Sequence, residues 1–274
     1  MEVDTVSPSA FSTTSVVSVG GTYQRSNYWN DENTSLTVTI PVADDDSLVS
    51  GSITVEAKKS TGSYATLVSA TNIPSKNTSQ QISVDASSFE SFSEFTNNDT
   101  MTFRTKIKDI AGNETTSSNT IDVYADRTRP TITITSTTAN VSDGSRTNNA
   151  TIALTFTSDE ATSDFVEGDI SFSGGTLSDF TESSSTVYTA TFTPSGDGAK
   201  TIDIAENTFS DSAGNRNNAS TQFNWTYDST APSAFQVGSV ITIASSSDNV
   251  IAGYWNVHNT HVDITVPLDS SDAS

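Results

Sequence analysis

Short segments in which apolar and polar residues alternate constrain this chain of 274 residues more than any other feature. A period of two is what a β-strand with one buried face requires, because successive side chains point to opposite sides of the strand. Clusters of Gly, Asn, Asp and Ser separate the segments and favour tight turns. The clearest segments are Leu36, Val38 and Ile40; Ile53, Val55 and Ala57; Met101, Phe103 and Ile107; Ile152, Leu154 and Phe156; Tyr188, Ala190 and Phe192; Phe223, Trp225 and Tyr227.

The same pattern predicts an all-β protein made of antiparallel β-sandwiches. A helical pattern is confined to the stretch from Asp85 to Phe95, where Phe89, Phe92 and Phe95 recur every three residues behind Asp85 as a cap. Only 33% of the residues are hydrophobic and the net charge is −21, a composition near the boundary of disorder. Because the alternation puts the few apolar residues on one face, we expect the chain to fold.

The charge and the residue types also exclude several classes of function. Without cysteine there is neither a disulfide framework nor a thiolate zinc site. The 12 basic against 33 acidic residues would repel phosphates, so we expect no nucleic-acid partner. The sequence has no apolar run of the roughly 18 residues that span a bilayer, so we expect no membrane insertion.

An internal repeat divides the chain. The stretch from Asp4 to Phe11 returns from Asp228 to Phe235, an offset of 224, and Tyr28-Trp29-Asn30 returns as Tyr254-Trp255-Asn256, an offset of 226. The junction motif Asp-x-x-x-Pro occurs a third time between them, at Asp126 to Pro130. Each copy opens a segment of about one sandwich domain.

The repeat predicts two complete domains and the beginning of a third. Because the last residues repeat only the start of the first domain, we expect the array to continue beyond Ser274. The predicted parts are a first sandwich at 1–125, a linker at 126–130, a second sandwich at 131–227, a linker at 228–232 and the start of a third sandwich at 233–274.

The junction residues also indicate a family. Asp-x-Ala-Gly-Asn precedes the last strand of each complete domain, as Asp109 to Asn113 and as Asp211 to Asn215. This motif, followed by Asp-x-Thr-x-Pro at a junction, resembles the bacterial Ig-like repeats of long secreted surface proteins and adhesins. The second segment is the closer match, and the first is nearer to fibronectin III-like sandwiches. The resemblance implies tandem Ig-like sandwiches in an extracellular or cell-surface protein.

The resemblance implies calcium as a cofactor at the domain junctions. The expected ligands are Asp126 and Asp228, with Asp109 and Asn113 on a loop expected at the same end as Asp126, and Asp211 and Asn215 at the same end as Asp228. Calcium takes six to eight oxygen ligands. The alternative is that these Asp and Asn residues form turns and that proline fixes the linker.

Other candidate residues have ordinary structural explanations. The acidic runs Asp44-Asp45-Asp46 and Asp159-Glu160, the latter followed by Asp164, Glu167 and Asp169, are typical of solvated turns. His258 and His261 lack the spacing of two that a metal pair on one strand needs, and both follow the two complete domains, which therefore contain no Ser-His-Asp triad.

The aromatic residues leave one binding hypothesis open. Trp225 alternates with Phe223 and Tyr227, which favours core packing. Tyr28 and Trp29 precede a strand and could instead form a platform for stacking sugars.

These observations favour a structural function. We expect a non-catalytic stalk segment that spaces or presents a distal binding module and whose partners are the neighbouring Ig-like domains of the same chain. Two alternatives stay open: a module that binds a cell-surface glycan or protein, and a component of a surface layer or of a phage.

Overall fold

A computed structural model describes residues 3–162, 164–234, 238–244, 255 and 259–265 of the chain. It divides into two compact units, residues 1–227 and 228–274. The first unit contains two separate hydrophobic cores, one in each of two β-sandwiches. The fold is therefore all-β, and the sandwiches are built largely from antiparallel pairs, as the alternation predicts.

The first sandwich packs two sheets against each other. One sheet has the order β1-β3-β6, and the other has the order β2-β9-β7-β4-β5, with β8 paired to β7. The strands are β1 (Ser15–Val19), β2 (Tyr28–Trp29), β3 (Ser35–Val42), β4 (Ser52–Lys59), β5 (Ala65–Asn72), β6 (Thr78–Asp85), β7 (Asp99–Lys108), β8 (Glu114–Thr116) and β9 (Ile121–Ala125).

The second sandwich has two four-stranded sheets, in the orders β10-β12-β15-β14 and β11-β17-β16-β13. Its strands are β10 (Ile132–Ser136), β11 (Ser145–Thr147), β12 (Ile152–Ser158), β13 (Ile170–Ser173), β14 (Gly175–Ser184), β15 (Val187–Pro194), β16 (Gly198–Ile204) and β17 (Phe223–Tyr227). In the second unit, β18 (Ser239–Ala244) pairs antiparallel with β19 (Asn259–Thr265).

The alternating residues fill the two cores. Every second residue of β3 is buried, from Leu36 to Val42, and β12 shows the same pattern from Ile152 to Ser158. The largest buried side chains of the first core include Trp29 and Phe89, and those of the second include Trp225. At about 25 cal/mol per Å² of apolar surface removed from water, such burial is the main force that holds each sandwich together.

The predicted helical stretch is shorter than its pattern. The helix α1 runs from Ala86 to Glu90, and the side chain of Asp85 caps it by accepting a hydrogen bond from the Ser88 backbone N–H. Beyond Glu90, Phe92 and Phe95 pack against the first core without extending the helix. Two short 3-10 turns complete the described elements, at Asp46–Leu48 and Glu167–Asp169.

The acidic run at residues 44–46 forms a turn. Asp45 caps the 3-10 turn by accepting from the Ser47 backbone N–H, and Lys76 contacts the carboxylates of Asp44 and Asp46 at 3.0 and 2.8 Å. Tyr254, Asn256 and His258 lie outside the described residues, as does the side chain of His261.

Candidate functional site

The candidate site is the junction between the two sandwiches of the first unit, where Asp126 leaves the last strand of the first sandwich. The backbone N–H of Asp126 donates to the carbonyl of Trp29 at 2.8 Å, which continues the parallel pairing of β2 with β9. The Asp126 side chain accepts from the Thr128 backbone N–H at 3.1 Å and so turns the chain toward Pro130.

All three junction aspartates form the same turn. Asp4 accepts from the N–H of Val6 at 2.9 Å, and Asp228 accepts from the N–H of Thr230 at 3.2 Å. Each aspartate therefore bonds to the backbone two residues further on, which is the turn-forming role that the sequence left open beside calcium binding.

The two Asp-x-Ala-Gly-Asn loops have one internal geometry. In the second sandwich, the Asp211 carboxylate accepts from the Asn215 backbone N–H at 2.9 Å and from Asn215 Nδ2 at 2.8 Å. In the first sandwich, Asp109 accepts the same two bonds from Asn113 at 2.8 and 2.9 Å. The motif thus encodes a self-closed loop, and its asparagine contributes donors to the aspartate.

Each loop meets the aspartate that begins its own sandwich. Asn215 Nδ2 donates to the carbonyl of Asp126 at 2.9 Å, and Asn113 Nδ2 donates to the carbonyl of Asp4 at 3.3 Å. The expectation that Asp109 and Asn113 lie at the same end as Asp126 is wrong. β7 and β9 are antiparallel, with Asp99 opposite Ala125, so the loop after β7 and the end of β9 lie at opposite ends of the sheet.

The same reason applies to the second sandwich. β16 and β17 are antiparallel and place Gly198 opposite Tyr227, so the loop that follows β16 lies away from the end of β17. Asp211 and Asn215 therefore lie beside Asp126 and not at the strand end that leads into Asp228.

Glu160 completes a cluster of carboxylates at the junction. One carboxylate oxygen from each of Asp126, Glu160 and Asp211 lies within 4.8 Å of the other two. Asp211 is buried, and the other two residues are half-buried. From the sequence, Glu160 belongs to an acidic run that is typical of a solvated turn. Its position beside Asp126 could not be predicted, because Glu160 is not part of the repeated motif and only the tertiary fold brings the two residues together.

The pKa values of all three carboxyls are raised. For Asp126 and Asp211 the main cause is loss of solvent. For Glu160, loss of solvent together with the charges of Asp126, Asp211 and Asp159 raises the pKa to about 7. The junction therefore holds a carboxyl group that changes charge near neutral pH.

Backbone and amide hydrogen bonds join the two sandwiches directly. Asn30 Nδ2 donates to the carbonyl of Ala213 at 3.1 Å, and the Asp31 backbone N–H donates to Asn215 Oδ1 at 2.8 Å. Asn30, Ala213 and Asn215 are each no more than 1% exposed. These bonds are thus shielded from water, where a lost partner is most costly.

Two arginines of the second sandwich reinforce the contact. The guanidinium of Arg216 lies 4.3 Å from the centre of the Tyr23 ring, and its Nε is 3.8 Å from Glu32 Oε1. Arg129 Nε donates to the carbonyl of Arg216 at 2.7 Å and lies 3.8 Å from Asp31 Oδ2. Both arginines are partly buried, so these contacts are screened less by salt than pairs on an open surface.

Gly214 lets the backbones approach at the centre of the contact. Its φ is +92°, and a Cβ at this position would lie 2.3 Å from the carbonyl oxygen of Tyr23. A larger residue would separate the two sandwiches, so the glycine of the motif has a function between domains as well as in its own turn.

The aromatic platform that the sequence left open is not offered by Trp29. Its side chain is fully buried, contacts Phe89 at a ring distance of 5.0 Å and donates from Nε1 to Glu90 at 3.2 Å. Trp225 is buried in the second core.

These features define the class of the protein: tandem Ig-like β-sandwiches joined end to end by a structured junction. Residues 126–251 match the family model of the bacterial Ig-like domain, so this part of the chain is similar to that family. The match begins at the junction residue Asp126. The comparison with curated proteins gives no match. Within the described part of the chain, no helix is long and apolar enough to cross a membrane.

Proposed function

We propose that the chain is a structural spacer of a larger extracellular surface protein, in which Ig-like sandwiches are held in fixed relative orientation. Bacterial Ig-like domains typically occur in surface proteins, which supports this location. The observation that carries the proposal is the buried junction, where Asn30, Asp31 and Asn215 bond across two sandwiches that each have their own core. A spacer needs this property, because a loose linker would not transmit orientation along an array.

Residual dipolar couplings measured on the full chain test the fixed orientation. The two sandwiches of the first unit should fit one alignment tensor. Asn215→Ala should separate the tensors, because it removes the bond to Asp31 and the bond to the carbonyl of Asp126. Asn113→Ala is the matched control, since it damages the same loop geometry away from this junction. Independent tensors in the unmodified chain would contradict the proposal.

The proposed location needs its own test. Antibodies raised against the full chain should label intact cells of the source organism and should lose their target after mild external proteolysis. Labelling only after lysis would contradict a surface role. The spacer is non-catalytic under this proposal, and hydrolytic activity retained by the purified chain would count against it.

We also propose that calcium binds at the junction, to Asp126, Glu160 and Asp211. Each of the three carboxylates brings one oxygen within 4.8 Å of the other two, and their mutual repulsion favours a cation between them. The rest of the six to eight oxygen ligands that calcium takes would come from water or backbone carbonyls. Asn215 is not part of this proposed site, because its Nδ2 donates to Asp126 and Asp211 and its Oδ1 accepts from Asp31. Asp109 and Asn113 bond to each other at the other end of the first sandwich, and the Asp228 side chain accepts from the Thr230 backbone N–H in its own turn.

Titration calorimetry with calcium chloride on the full chain tests this site. We expect binding that Glu160→Gln weakens by at least about tenfold, because it removes one of three anionic ligands. Glu182→Gln, at an exposed position of β14, should leave binding unchanged. Equal calcium binding by both variants would place the ion elsewhere, and no binding by the unmodified chain would leave these residues a purely structural role.

A lattice component of a surface layer or a phage would use the same junction. Ordered self-assembly of the purified chain, seen by electron microscopy, would favour that alternative over a spacer.

A further inference from the structure

The Asp-x-Ala-Gly-Asn loop is covered in one sandwich and bare in the other. In the second sandwich Ala213, Gly214 and Asn215 are all buried. In the first sandwich the equivalent Ala111 and Gly112 are exposed, and Asn113 is half-buried. A Cβ on Gly112 would meet no described atom within 4 Å, whereas one on Gly214 would collide with Tyr23.

The two loops nevertheless share their internal hydrogen bonds and their contact with the junction aspartate of the same sandwich. The geometry that accepts a neighbouring domain at Ala213 and Asn215 is therefore already formed at Ala111 and Asn113. The difference in burial comes from the presence of a neighbour and not from a different loop.

We propose that the Asp109–Asn113 loop of the first sandwich is a docking surface for the Asn148-Asn149 end of another copy of the second sandwich, placed before it in an array. This proposal rests on the spacer function and names the partner of the Asp109–Asn113 loop. The order of the repeat supports the choice of partner, because the motif Asp4–Pro8 recurs as Asp228–Pro232 immediately after the second sandwich.

Strand register identifies the docking residues of that partner. At the observed junction, Trp29 lies opposite Ala125 at the end of β9, and Asn30 and Asp31 follow it. In the second sandwich, Thr147 lies opposite Tyr227 at the end of β17, and Asn148 and Asn149 follow it. Asn148 thus holds the position of Asn30, which is buried at the observed junction, and Asn148 is exposed.

Charge distinguishes the second sandwich from the first as the partner. Glu114 follows the bare loop at the position of Arg216, so the Glu32 end of a first sandwich would bring two carboxylates together. The second sandwich has Ala150 at the position of Glu32, which removes this repulsion. The observed junction also contains the pair Arg129 and Asp31. In the proposed junction Ser7 and Asn149 hold these two positions, so both charges are absent and no unpaired charge is buried.

A duplicated chain tests the docking, with residues 3–227 joined directly to residues 4–274. This connection lets Tyr227 continue into Asp4 as it continues into Asp228 in the natural sequence. Because the chain has no cysteine, Ala111→Cys introduces a single thiol that can be placed in either copy. Maleimide labelling should be at least about tenfold slower when the substitution is in the downstream copy than when it is in the upstream copy.

Ala213→Cys in the single chain provides the reference for a covered loop and should label slowly. Since a thiol at position 111 could itself obstruct docking, a second measurement leaves the loop unchanged. Segmental ¹⁵N labelling of the downstream copy should show slower amide exchange at Ala111 and Gly112 than in the single chain. Amide exchange in the downstream copy equal to that in the single chain, together with equal maleimide labelling of the two copies, would overturn the docking surface. The spacer function is judged separately, by the dipolar couplings across the Asp126 junction.

Discussion

Gly112 and Gly214 occupy the same place in the same motif but differ in what surrounds them. Both have a φ above +90°, so any substitution strains the backbone by about 1 kcal/mol. Only Gly214 also faces a carbonyl, that of Tyr23, at a distance that a Cβ could not tolerate. Both copies of the motif therefore need glycine for its positive φ, and only the second copy also needs it for close packing against Tyr23.

This contrast predicts a difference between matched variants. Gly112→Ala should lower the free energy of unfolding by about 1 kcal/mol, from backbone strain alone. Gly214→Ala should cost about 2 kcal/mol or more, because the two sandwiches must also separate. Urea unfolding of the full chain measures both. Equal losses would show that Gly214 has no function between the domains.

Glu160 gives the junction a dependence on pH. Its pKa is raised to about 7 from an ordinary value of 4.5, chiefly by loss of solvent and then by Asp126, Asp211 and Asp159. Between pH 4.5 and about pH 7, Glu160 therefore keeps its proton in the folded chain, whereas in the unfolded chain it has lost it. The resulting stability is fully present below about pH 4.5 and is lost as the pH rises through about 7.

In buffer containing a chelator, the chain should therefore unfold at a lower temperature at pH 8 than at pH 5.5. We expect the Glu160 contribution to be about 1 kcal/mol, since solvent screens a half-buried group. Glu160→Gln should reduce this dependence, and Glu182→Gln should preserve it. If thermal unfolding of the Glu160→Gln protein keeps the full pH dependence, another group is responsible.

At the scale of elements, the strands could be predicted and their ends could not. Leu36, Val38 and Ile40 are recognisable as one face of a strand because burial on one side imposes a period of two on the sequence itself. The contact of the Asp109 loop with Asp4, and not with Asp126, is not recognisable in this way. It depends on β7 and β9 running antiparallel, and the local pattern carries no information about direction.

The helix α1 shows a similar division. The sequence identifies Asp85 as its cap and Phe89 as a packing residue, but the recurrence of Phe92 and Phe95 suggests too long a helix. These two rings reach the core from the turns that follow Glu90. A spacing of three residues is therefore satisfied by successive turns as well as by a helix.

Phe89 should hold this region together. It is fully buried among Trp29, Phe95 and Phe103, with ring centres 5.0 to 5.8 Å away. Phe89→Ala should lower the free energy of unfolding of the first sandwich by about 3–5 kcal/mol through the cavity it leaves. The half-buried Phe92 is the matched control, and Phe92→Ala should cost clearly less in the same denaturant titration. Similar losses for both would contradict a central position for Phe89.

At the scale of the whole molecule, the separate cores and the shared junction have opposite effects on whether the two sandwiches unfold together. Two cores allow each sandwich to fold by itself, whereas the bonds from Asn30 and Asp31 to the second sandwich favour folding together. The surface charge adds a third effect, because a net charge of −21 keeps neighbouring copies of the chain apart. Local contacts at junctions are then the means by which such domains associate in order.

The coupling between the sandwiches can be measured by destabilising one of them. Phe89→Ala raises the population of chains in which the first sandwich is unfolded, and in those chains the second sandwich loses its contacts with Asn30 and Asp31. The slowest amides of β12 and β15 should therefore exchange up to about tenfold faster, although the substitution lies in the other core. Adding Asn215→Ala should abolish most of this transmitted effect, because the junction is then already weakened. Hydrogen exchange followed by mass spectrometry distinguishes the two sandwiches within one chain. Unchanged exchange in β12 and β15 would mean that the sandwiches are independent modules, and the junction would then set their orientation without stabilising either one.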